Sequence, residues 1–114
     1  MESHLSKTPP ELLQGTVDIL ILRALARESM HGYAISRWLD QRSEGKLTVD
    51  GAGLYQALHR LEQRKLIAAS WGVSENNRRA KYYRLTPSGK KHLLRERENW
   101  QRIALGMQRI LEGA

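Results

Sequence analysis

The sequence contains no cysteine, no phenylalanine and only three prolines. The missing cysteine excludes disulfides, thiolate zinc sites and cysteine nucleophiles together, and it fits a reducing compartment. With aromatic residues at 6%, Leu, Ile, Val and Ala must supply most of the core. A domain of this size is marginal alone and gains from association. Long hydrophobic runs are missing as well. The longest apolar stretch, Val17–Leu25, is interrupted by Asp18 and Arg23 and is far too short to cross a bilayer. Met1–Pro10 holds no apolar run, so no signal peptide is expected, and the chain reads as cytoplasmic with no membrane partner. Catalytic patterns are absent too. His4, His31, His59 and His92 have no metal-ligand spacing, no Gly-rich phosphate loop is present, and nothing resembles an activated nucleophile. The sequence predicts a non-enzyme without catalytic residues, cofactor or metal.

Positive charge, by contrast, is abundant. Nineteen Lys and Arg against twelve Asp and Glu give a net charge of +7 on 114 residues. Such a balance suits a polyanionic partner, nucleic acid or anionic lipid, although it also serves solubility alone.

The apolar pattern divides the chain into three parts. Residues 1–11 are polar and carry Pro9-Pro10, which reads as a flexible N-terminal arm. A first helix is expected over Leu12–Arg27; it is apolar nearly all round and so calls for two burial surfaces. A second spans about His31–Arg42, with Ala34, Ile35, Trp38 and Leu39 as its buried stripe. Leu47–Val49 reads as a very short strand. A third helix, about Ala52–Lys65, turns Leu54, Leu58 and Leu61 inward. Leu66–Val73 and Lys81–Leu85 form a β-hairpin around the polar turn Ser74–Ala80. Thr86-Pro87 supplies an N-cap and an N1 proline for a long fourth helix reaching about Leu111. The expected fold is mainly α, a winged helix-turn-helix over 12–86 with three helices and a two-stranded β wing. Residues 87–114 form a C-terminal dimerisation helix.

Four side chains of the third helix, Gln56, His59, Arg60 and Gln63, lie opposite its core face. Arg bonds guanine bidentately and Gln bonds adenine in the major groove, and the N-terminal part of such a helix reaches deepest. That pattern also describes an ordinary solvated helix face. The hairpin adds weight, because Arg78, Arg79, Lys81 and Arg84 crowd around Tyr82 and Tyr83, offering cations and hydroxyls to a phosphate backbone. In an alternating strand Lys81, Tyr83 and Leu85 share one face, Tyr82 and Arg84 the other.

The fourth helix is longer than one domain needs, about 36 Å. Leu93, Trp100, Ile103, Met107 and Ile110 recur along it at heptad-like spacing, so they are the candidate interface of a homodimer; the alternative is packing back on the same domain. Two recognition helices one DNA turn apart then read a palindrome. Trp100 is either an interface anchor or one wall of a gap that stacks a small aromatic effector.

The order of these segments resembles the PadR family of transcriptional regulators. The resemblance rests on Leu13–Leu22, on Met30-His31-Gly32-Tyr33-Ala34-Ile35, on Leu54-Tyr55 with Ala57–Glu62, and on Arg78–Thr86 with Gly89. Together they cover residues 12–92, and the single-helix tail is similar to the family's smaller subgroup. The resemblance implies a homodimeric repressor on palindromic double-stranded DNA, released in some members by a small molecule near aromatic residues of the last helix. It also implies a phosphate contact from Tyr55. Ala52, Gly53 and Gln56 depart from the family pattern, which commonly has Ser or Thr before the Leu-Tyr pair and Pro after it; the hydroxyl contact is therefore not carried over, and Gln56 gains a role toward bases. The alternative function is a winged helix that binds protein, with the basic wing incidental.

Overall fold

The computed structural model describes residues 14–112. The elements run α1 (Gln14–Leu25), β1 (Met30–His31), α2 (Gly32–Arg42), α3 (Gly51–Gln63), β2 (Ile67–Val73), β3 (Arg79–Leu85) and α4 (Pro87–Leu111). The arm expected over 1–11 and the start of the first helix lie outside the described residues.

Three short helices and a hairpin followed by a long helix form the expected winged plan, but its strands differ in one respect. Leu47–Val49 is not a strand; it runs as an irregular segment into α3. The third strand is instead β1, in residues read from the sequence as the opening of α2. It pairs antiparallel with β3, Met30 opposite Tyr83 and His31 opposite Tyr82, giving the sheet order β1-β3-β2. A strand exists only where a partner edge accepts it, and β3 offers its free edge to Met30–His31.

Each helix start has a local cause. His31 is the N-cap of α2, its Nδ1 accepting from the Ala34 amide at 3.1 Å. Asp50 caps α3 by accepting from the Gly53 amide at 2.6 Å. Thr86 caps α4 with Pro87 in its first turn, as the sequence predicts; its hydroxyl accepts from the Gly89 amide at 3.0 Å. These side-chain acceptors satisfy amides that the helix leaves unpaired.

α1 is the central element. Val17, Ile21, Leu22, Ala24 and Leu25 are buried against α2, α3, α4 and β3, while Ile19 and Leu20 are only partly covered. Its all-round apolarity is thus used mostly within the domain. From α3, Leu54, Ala57, Leu58 and Leu61 complete the core, with Ile67 and Tyr83 from the hairpin. Leu93, expected in a dimer interface, belongs to this core and is 6% exposed. It lies in the part of α4 that still overlaps α1, so the domain itself covers it. Beyond Leu93 no described residue of the helix is buried. The radius of gyration is 15.9 Å, against about 13 Å for a compact chain of this size.

Candidate nucleic-acid interface

Tyr55 of α3, the start of α2 and one face of the hairpin open onto a groove of about 940 Å³. Its walls are the first turn of α2, Tyr55 of α3, and the hairpin from Trp71 to Lys81. The register explains which side chains reach it. Trp71 faces Lys81 and Val73 faces Arg79 across the hairpin, so these four stand on the same side as buried Tyr83, beyond the point where the core ends. Arg79 stacks on Trp71, its guanidinium 4.5 Å from the ring centroid. This contact holds the cation at the groove without neutralising it.

Tyr55 reaches the groove because residue 32 is glycine. A Cβ at Gly32 would stand 2.7 Å from the Tyr55 hydroxyl, so the phenol lies directly over the opening turn of α2. Burial pushes the neighbouring Tyr83 phenol above its ordinary range, while Lys81 acts in the opposite sense. It therefore stays protonated near neutral pH.

Of the α3 residues singled out from the sequence, Tyr55, Gln56 and His59 are exposed together. Arg60 is placed elsewhere. Its Nη2 donates to Asp18 Oδ1 at 2.8 Å, with the two side chains 30% and 12% exposed. Its Nε is buried without a partner among the described residues. At 100° per residue Arg60 falls on the margin between the solvated and core faces, and the buried carboxylate of α1 draws it inward. Arg60 is thus a half-buried ion-pair partner of Asp18 at the margin of the exposed face.

The wing's cations are likewise divided. Arg78 and Arg79 are exposed near the tip. Lys81 is bonded to Glu62 at 3.3 Å, which reduces the charge it can offer. Arg84 is exposed on the opposite face of β3, with Tyr82, so it does not face the groove. Tyr82 packs edge-on to His31, ring centroids 5.3 Å apart, and its hydroxyl donates to the Val73 carbonyl at 3.2 Å.

Tyr33, Arg37 and Trp71 line the groove and were missed from the sequence. A signal was available for Tyr33 and Arg37: they sit four residues apart on the polar side of α2, and the Arg37 guanidinium lies 5.9 Å from the Tyr33 ring centroid.

On α4, Trp100, Ile103, Met107 and Ile110 are 51%, 47%, 53% and 81% exposed. No other element among the described residues buries them.

A helix presented beside a basic two-stranded wing defines the winged-helix class. Sequence comparison names the branch: the profile of the PadR-like family of transcriptional regulators matches residues 21–95. The chain is similar to a transcriptional regulator from Clostridium thermocellum, with 29% identity, 87% of this chain and 96% of that one covered, and a TM-score of 0.79. It is similar to a PadR family transcription regulator from Clostridium difficile, with 31% identity, 84% and 98% covered, and a TM-score of 0.72. A protein from Lysinibacillus sphaericus is 29% identical over 103 residues, 90% of this chain and 94% of that one. The chain belongs to the PadR-like family.

Proposed function

We propose that the protein binds double-stranded DNA sequence-specifically as a homodimer and represses transcription from a palindromic operator in the cytoplasm. The observation that carries this reading is the groove, in which Tyr55 of α3 lies with Arg78 and Arg79 of the wing, while Gln56 and His59 are exposed on the same helix. Gln56 and His59 would address base edges in the major groove. Tyr55, Arg78 and Arg79 would hold the phosphates on either side, with Lys81 and Arg84 in lesser roles. The exposed stripe Trp100, Ile103, Met107 and Ile110 would pack against its counterpart in a second chain, setting two α3 helices a DNA turn apart. Trp100 would then meet its mate or border a gap that takes a small aromatic effector.

The test is a mobility shift with DNA from upstream of the protein's own gene, at two salt concentrations and with unrelated DNA as competitor. A discrete, competition-resistant complex that weakens steeply with salt is expected. A folded dimer that shifts no DNA specifically, across a set of operator-length fragments, would favour a winged helix that binds protein.

A further inference from the structure

A second cavity, of about 220 Å³, lies on the side of α2 away from the wing. Leu20 of α1, Trp38 and Leu39 of α2, and Leu47 and Val49 of the segment entering α3 form its apolar walls. Two cations complete it, Arg23 and Arg42. Their guanidinium carbons lie 5.7 and 6.0 Å from the Trp38 ring centroid, and Arg27 lies 5.3 Å from the same ring. Among the described residues Arg27 has Glu28 at 3.9 Å, whereas no carboxylate pairs with Arg23 or Arg42. Three like charges around one indole repel each other, and an anion between two of them would relieve that repulsion.

From this placement we propose that the cavity is a binding site for a small amphipathic carboxylate. The apolar tail would lie against Trp38, Leu47 and Val49, and the carboxylate would bridge Arg23 and Arg42. The volume is below the range of about 300–1,000 Å³ typical of drug-sized pockets, which restricts the occupant to a short chain or a single ring. The site also bears on DNA. Its wall from 47 to 49 joins α2 to α3, and it begins at a tight turn in which Ser43 Oγ accepts from the Leu47 amide and donates to its carbonyl, both at 3.1 Å. Glu44 and Gly45 hold the turn in the left-handed region, φ 55° and 77°. An occupant pressing on Leu47 and Val49 would displace the start of α3 relative to α2. This regulatory half rests on the DNA-binding reading above; the site itself does not.

Calorimetric titration of the full chain with octanoate, in the absence of DNA, tests the site. One octanoate per chain is expected, with its neutral isostere octanamide about tenfold weaker, as for loss of a charged hydrogen bond. Arg42→Gln should weaken octanoate by a similar factor, and Val49→Phe should fill the cavity and abolish binding, both with unchanged circular dichroism. No heat with the wild type at millimolar octanoate overturns the proposal. So does equal binding of octanamide, or binding that survives Arg42→Gln and Val49→Phe but is lost in Trp100→Ala. Octanoate should also weaken the DNA complex of the wild type and leave that of Val49→Phe unchanged. A ligand that binds without affecting DNA overturns the regulatory half alone, and a protein that binds octanoate but no DNA counts against the DNA reading alone.

Discussion

The two ends of α4 carry the same apolar periodicity and meet different surroundings. At the proximal end Gly89 and Leu93 are buried in the domain, and Thr86 anchors the first turn, donating to the Lys65 and Leu66 carbonyls at 2.8 and 3.0 Å. At the distal end Trp100, Leu105, Met107, Ile110 and Leu111 stand exposed. A heptad-like stripe states that a face will be buried; it does not state against what. The surroundings decide: Leu93 is in the core of the domain, whereas the distal residues are exposed. The wing shows the same contrast in its cations: Lys81 near the body is paired with Glu62, whereas Arg78 and Arg79 toward the tip have no carboxylate partner among the described residues.

Substitutions can break this contrast. The largest effect is expected at Gly89, where a Cβ would overlap the Leu66 carbonyl oxygen. Backbone cannot yield as a side-chain tip does, so Gly89→Ala should cost about 4 kcal/mol in urea unfolding or prevent folding; a variant as stable as the wild type would show that the α4–hairpin junction is looser than described. Leu93→Ala should follow, at about 3 kcal/mol for a filled core position. Trp100→Ala is the sharpening counterpart: it should lower the dimer fraction in sedimentation at micromolar concentration while leaving a folded chain. If instead it unfolded the chain as Leu93→Ala does, the division of α4 into two halves would be wrong.

Arg60→Ala is expected to cost about 2–3 kcal/mol, because it leaves Asp18 buried without its partner. The paired replacement Asp18→Leu with Arg60→Met should recover most of the loss. Loss of DNA sequence preference in a fully stable Arg60→Ala protein would show that Arg60 reads bases rather than holding Asp18. Arg79→Ala should leave folding alone and weaken all DNA by about 1 kcal/mol, with a shallower salt dependence; a changed sequence preference would contradict its assignment to phosphate. Smallest is Gly32→Ala, whose Cβ meets only the flexible end of Tyr55. Stability should fall by less than about 1 kcal/mol, and the displaced phenol should be visible as lost DNA affinity.

The elements that a single chain segment specifies were legible. α4 begins where Thr86-Pro87 place it, and the inward faces of α2 and α3 follow their helical spacing. The two tyrosines of β3 part as alternation requires, Tyr83 buried and Tyr82 turned to the other face. What remained hidden depends on partners distant in sequence. Two residues are too few for periodicity, so β1 is visible only through its pairing with β3. Arg60 looked like part of a solvated face because Asp18, 42 residues away, gives no sign in sequence of being buried. Leu93 fits the distal stripe by spacing, and only the packing of α4 on the domain puts it in the core.

His31 has a mechanical consequence. It pairs with β3, accepts the capping bond from Ala34, and packs on Tyr82. The hairpin is therefore riveted to the opening turn of α2, and Gly32, the next residue, is where Tyr55 of α3 comes to rest. Wing and α3 are gauged from one short stretch of chain, like the two jaws of a calliper on a common hinge pin. Two adjacent residues, His31 and Gly32, thus hold the wing and α3 in register with α2.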